Sequence, residues 1–203
     1  MNAVALGFGS QNVVTPAHVG FIYDGEAERR RFQLAFLRPG IEDRSNGIVI
    51  LGPPDYSGVM LRHLETDLGR SLDGDVRSGH VLVARYEPDP DQTLEVIRDA
   101  IATLTAQGSA VIRLFAQVMW GAPGFPLAED HLWVESRLNE VLESTSVLMV
   151  CAYDSSQMPS WGLINGGLDP HRHVVIGDQL AENPNYLAPA EYLRSRPWSG
   201  ESR

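Results

Sequence analysis

Short, dense apolar runs alternate along this chain with longer segments that are apolar on one helical face, and that alternation limits the fold more than any other feature. The runs are HVGFIY (18–23), GIVIL (47–51), HVLVARY (80–86), SAVIRLFAQV (109–118), SVLMVCAY (146–153) and HVVIG (173–177). Most are apolar at successive positions rather than at every second one. A strand of that kind is buried on both faces, as in a parallel sheet with helices packed on each side. Between the runs, GEAERRRFQLAFLRPG (25–40) turns from charged to amphipathic and is expected to stop at Pro39 and Gly40. YSGVMLRHLETDLG (56–69) sets Met60, Leu61, Leu64 and Leu68 on one face, with Gly69 as its stop. The clearest helix starts after Asp89, a good N-cap. Pro90 takes its first position, Gln92 completes a capping-box-like start, and Leu94, Ile97, Ile101 and Leu104 form its buried stripe up to Gly108. A further helix is expected over 127–142, with Val134, Leu138 and Val141 facing inward, and a short, glycine-interrupted one near 156–164.

Six strands alternating with helices, and no hairpin between them, predict an α/β fold with a mostly parallel sheet covered on both faces. The organisation expected is a flexible N-terminal tail over 1–15, one domain over 16–188 and a C-terminal tail over 189–203. At 203 residues the chain suits one well-buried domain. Its formal net charge of −10 speaks against direct nucleic-acid or anionic-membrane binding, both of which need a basic face. The basic stretch ERRR (28–31) reads most simply as a solvated helix face. The single cysteine, Cys151, permits no internal disulfide and fits a reducing compartment. The first residues lack the basic and apolar regions of a signal peptide, so a cytoplasmic location is expected.

VILGPPDYSGVML (49–61) climbs through an apolar run to a glycine-flanked turn before a helix, which is where a phosphate-binding loop would sit. Its chemistry is wrong for that role. Val59 and Met60 follow Gly58 where a lysine and a hydroxyl residue would be needed. Pro53 and Pro54 remove two N–H donors, and Asp55 repels phosphate. There is also no Gly-x-Ser-x-Gly elbow, no His-Glu-x-x-His and no cysteine cluster, so no enzyme class suggests itself and no cofactor is expected.

An ordered set of motifs resembles the MEDS domain, the sensory domain of methanogen and methylotroph regulators. The set is HVGFIY, then QVMW after the fourth strand, ESRLNEVL in the next helix, CAYD, and HRHVVIGDQLAENPNY, spread over about residues 15–187. The resemblance implies a degenerate RecA-like three-layer sandwich without a functional phosphate loop. It implies a non-enzymatic sensor of a small organic molecule, such as a simple hydrocarbon derivative, that signals to a separate partner: a kinase, an anti-sigma factor or a transcription factor. The chain departs from the family pattern at Gly20, where many members place cysteine. That departure speaks against a paired-thiol, metal or redox role.

In such a fold ligands bind beyond the carboxyl ends of the strands. Tyr23 with Asp24, Trp120, Cys151, Tyr153 and Asp154 fall at or near those ends and are the candidate ligand-binding residues. Cys151 reads equally as a small buried hydrophobe. WGAPGFP (120–126) reads either as a lid or, more simply, as a rigid connection. His18 and His171 match histidines of the family, yet both precede their strands. A six-residue strand spans about 20 Å, so they are expected to serve a possible second site away from Tyr23. With no third ligand beside them in sequence, no metal is expected. The other reading of the chain is a protein-interaction module with no small ligand, and a homodimer is compatible with either.

Overall fold

The computed structural model describes residues 3–7 and 12–195. Seven strands form the main sheet: β3 (Ala17–Tyr23), β4 (Asn46–Gly52), β5 (Val81–Arg85), β6 (Val111–Val118), β7 (Val147–Asp154), β8 (His173–Ile176) and β9 (Gln179–Glu182). Their order is β5-β4-β6-β7-β3-β8-β9, with every pair parallel except β8–β9. This is the mostly parallel, helix-covered α/β sheet that the apolar runs predict. The central strands β4, β6 and β7 are buried along almost their whole length, which accounts for their unbroken apolar sequences.

One face of the sheet packs against α1 (Gly25–Glu42) and α2 (Ser57–Leu68). Phe32, Phe36 and Ile41 of α1, with Met60 and Leu64 of α2, meet Phe21, Ile48, Phe115 and Val150 there. After α3 (Asp73–Arg77) and β5 the chain crosses over, and the other face packs against α4 (Pro90–Ala106) and α5 (Ala128–Leu142). The stripe of Leu94, Ile97, Ile101 and Leu104 lies in that second layer with Val134, Leu138 and Leu142. Val141, expected inward, is only partly buried, and Leu142 takes its place in the core.

The helix ends follow local chemistry. Gly69 closes α2 in the left-handed conformation at φ 69°, a geometry that penalises any residue with a Cβ. The α1 helix runs past its expected stop. Pro39 falls within the last turn, where its missing N–H costs one bond, and Ile41 beyond it is buried. At α4, Oδ1 of Asp89 accepts from the amides of Asp91 at 2.8 Å and Gln92 at 3.2 Å. Asp89→Ala therefore lowers stability by about 1 kcal/mol, read as a lower urea midpoint with an unchanged slope.

The ends of the chain differ from expectation. Ala3–Ala5 (β1) and Asn12–Val14 (β2) pair antiparallel as a separate two-stranded sheet, so 1–15 is not simply a tail. Val4, Leu6 and Val13 are buried, and Nη2 of Arg113 donates to the Ala5 carbonyl at 2.8 Å. Three-residue strands are too short to carry a period. Past β8, Gly177 turns the chain at φ 60° into β9, a hairpin the pattern does not announce because QLAE is mostly exposed. A short polar edge strand of this kind discourages further pairing. A short helix, Pro189–Arg194, falls in the expected C-terminal tail but docks through the buried Tyr192, whose hydroxyl donates to the Asn165 carbonyl at 2.7 Å. The rest of that tail, 196–203, lies outside the described residues. No described helix is long and apolar enough to cross a membrane.

Candidate functional site

Strand alternation divides the expected site residues between two places. In β3, His18 and Gly20 face the α5 side of the sheet, while Phe21 and Tyr23 belong to the α1 side. Parallel register aligns Gly20 with Cys151 and Ile22 with Tyr153, so Cys151 and Tyr153 share the face of His18. Tyr23, Trp120 and Asp154 line a pocket at the carboxyl ends of the strands. Cys151 and Tyr153 do not reach it and join the histidines instead. Asp24 is exposed at the start of α1, outside both places.

The pocket has a volume of about 310 Å³ and is bounded by Tyr23, Tyr56, Gln117, Trp120, Asp154 and Met158. Its polar centre is Gln117, buried at the end of β6. The Gln117 amide nitrogen donates to the Tyr23 hydroxyl at 2.8 Å and also lies near the Val118 and Ala152 carbonyls. That leaves the Gln117 Oε1 without a protein partner and the Tyr23 O–H free to donate. Burial, and then the nearby Asp154 carboxylate, push the Tyr23 phenol well above its ordinary range, so it stays a proton donor. Trp120 is fixed from two sides. Its ring lies 4.8 Å from that of Trp161, and its Nε1 donates to Nδ1 of His131 at 3.2 Å. The loop beyond it is pinned by buried Phe125, whose ring is 4.4 Å from Tyr86.

The two helix starts beside the pocket use some of their amides internally. β3 and α1 are joined by Asp24 alone, and the Asp24 amide donates to Oε2 of Glu28 at 2.7 Å. At the start of α2 the amides of Tyr56 and Ser57 both donate to the Pro53 carbonyl. These three amides are spent within the chain.

The second place is a buried polar cluster beneath α5. His18, His131, Glu135, Cys151, Tyr153 and His171 are each no more than 5 % exposed. Oε2 of Glu135 lies 3.1 Å from Nε2 of His18 and 3.5 Å from Nε2 of His171. Nε2 of His18 is 3.3 Å from Sγ of Cys151. On the other side of the carboxylate, Oε1 accepts from the Tyr153 hydroxyl at 2.7 Å and stands 3.2 Å from Nε2 of His131. Burial pushes the Glu135 carboxyl up, but His131 and His18 outweigh it and hold the group well below the usual carboxylate range. Burial, with His18 beside it, holds His171 down to about 3, so its ring is neutral. The Cys151 thiol is pushed well up by burial and by Glu135, the opposite of a reactive thiolate.

His18 and Tyr23 lie apart, on opposite faces of β3, His18 in the buried cluster and Tyr23 in the pocket. Cys151 and Glu135 meet the histidines in the interior. Glu135 and His131 are the cluster residues that sequence reasoning missed. Their signal was present: a histidine and a glutamate at i and i+4 in HLWVE, within the apolar stripe of α5. Gln117 carries no such signal, since its position at the mouth of a pocket depends on the sheet.

A KaiC-like protein from the hyperthermophilic archaeon Pyrococcus horikoshii shares the fold, with a TM-score of 0.57 at 13 % identity over 85 % of this chain and 79 % of that one. The flagellar accessory protein FlaH of Methanocaldococcus jannaschii aligns at a TM-score of 0.44 and 11 % identity, over 81 % and 74 % of the two chains. No curated protein matches the sequence. The family model described as the methanogen/methylotroph, DcmR sensory domain matches residues 17–165, the span from the first strand of the main sheet to the turn that covers His171. The chain thus belongs to the MEDS family of sensory domains.

Proposed function

We propose that this sensory domain binds a small organic molecule between Tyr23, Gln117, Trp120 and Asp154 and relays its presence to a separate regulatory protein. The observation that carries the reading is a Tyr23 phenol donor, held by the buried Gln117 amide, in a 310 Å³ pocket walled by aromatic rings. A few fixed polar groups among apolar walls suit a small molecule with an apolar body and one polar end, such as a short alcohol, ketone or amide. The route outward is short. Trp120 bounds the pocket and packs on Trp161, which is 48 % exposed, so occupancy can alter a surface that a partner reads. The stage before a kinase, an anti-sigma factor or a transcription factor suits such an output.

Isothermal titration against a panel of short alcohols, ketones, amides and halogenated hydrocarbons tests the reading. A saturable response is expected, with Trp120 fluorescence changing in parallel. Tyr23→Phe removes one hydrogen bond and weakens binding by about 10-fold. Silence across the panel, or binding indifferent to Tyr23→Phe, would reject this pocket as the sensor.

A further inference from the structure

We infer that His18, Glu135, Cys151 and His171 together form a closed, four-coordinate site for a divalent transition-metal ion of the zinc class. One donor atom from each residue falls within 4.8 Å of all the others. The shorter edges of this set are 3.1, 3.3 and 3.5 Å. Zinc bonds of about 2.0–2.3 Å to nitrogen, oxygen and sulfur give tetrahedral edges of about 3.3–3.7 Å. Three of the six edges are already close to those dimensions, and the others are no longer than 4.8 Å.

The polar accounting points the same way. Oε2 of Glu135 and Nε2 of His171 face each other in the interior, and neither has a well-formed hydrogen bond. Orphaned buried groups of this kind cost free energy that one shared cation removes. The charge also closes. A divalent ion with one thiolate, one carboxylate and two neutral imidazoles is neutral, the least costly state for so dry a place. The donor set excludes calcium and magnesium, which take oxygen ligands, and suits a metal that accepts imidazole and thiolate together.

The surrounding groups orient the donors. Trp120 donates to Nδ1 of His131, which puts the His131 proton on Nε2, facing Oε1 of Glu135. Tyr153 donates to the same Oε1. Tyr153 thus occupies Oε1, with His131 standing beside it, and Oε2 is left to the ion, the outer-shell arrangement common around metal-bound carboxylates. Burial of all four ligands, with no position left open to solvent, makes this a structural or sensing site rather than a hydrolytic one. Its ligands come from β3, α5, β7 and the turn before β8, so the ion would tie these elements together.

The site does not rest on the ligand pocket, and its test is separate. The full chain is unfolded with guanidinium and a chelator, then refolded with Co²⁺ and, in parallel, with Zn²⁺. One metal per chain is expected. The cobalt form should show intense tetrahedral ligand-field bands and a thiolate-to-cobalt charge-transfer band. Cys151→Ser should abolish the charge-transfer band, and His171→Gln should weaken affinity by about 100-fold or more against a chromophoric chelator. Tyr153→Phe should keep the spectrum while weakening affinity by about 10-fold. Substoichiometric metal in the refolded wild type, an octahedral spectrum without a thiolate band, or a folded Cys151→Ser chain that keeps the wild-type spectrum would each overturn the assignment. Because the wild-type spectrum is itself decisive, a variant that fails to fold does not remove the test.

Discussion

Glu135→Ala should lower the unfolding free energy by about 3–5 kcal/mol, the usual cost of removing one member of a buried charged network. Urea denaturation in the presence of a chelator measures the effect without a contribution from bound metal. The carboxylate is fully buried and central to its cluster. It is the acceptor for the Tyr153 hydroxyl and the group that faces His18, His131 and His171. Alanine would leave a phenol O–H and several imidazole nitrogens around an apolar void, adding a cavity cost to the lost bonds. Glu135→Gln should be milder, since an amide keeps the shape and one acceptor for Tyr153. A loss below about 1 kcal/mol for the alanine variant would mean that the interior rearranges around the deletion and that the cluster is not a fixed unit.

The sheet was legible because its determinants are local. Unbroken apolar runs give buried parallel strands, and Asp89, Pro90 and Gly69 mark helix ends wherever they fall in a fold. The short strands β1, β2 and β9 escaped because three or four residues carry no usable period. The candidate site was half legible. Tyr23, Trp120 and Asp154 could be placed at strand ends from the pattern alone, and they line one pocket. Cys151 and Tyr153 sit in the same run as Asp154, yet alternate positions of a strand point to opposite faces. Sorting them needed parity along CAYD, a property of the sequence that strand-end reasoning ignores.

The buried cluster was harder to see because its members are scattered. His18 and Cys151 are 133 residues apart, and only the pairing of β3 with β7 brings them together. His171 belongs to no regular element. It follows the π-helical turn Leu163–Leu168, a rare conformation that sequence patterns do not announce and that often occurs at functional positions.

Gly20 shows why the family resemblance could not simply be carried over, and Gly20→Cys should destabilise the chain by about 3 kcal/mol. The resemblance sets a cysteine here, directly beside Cys151 in the sheet register. In this chain a Cβ on residue 20 would stand 2.3 Å from the Gly167 carbonyl oxygen and 3.1 Å from the His171 ring. The imidazole could turn aside, but the carbonyl belongs to the backbone of the π-helical turn and cannot move unless the turn does. Trimming the ring therefore should not rescue the variant. His171→Ala combined with Gly20→Cys should recover little of the loss, and a double-mutant cycle should show weak coupling between the positions. Strong rescue would place the obstruction in the ring and make the turn compliant. Weak rescue would mean that the π-helical turn, which brings His171 over the sheet, is also what excludes a second thiol. The glycine would then be the condition for this chain's histidine-containing cluster rather than the loss of a cysteine-containing one.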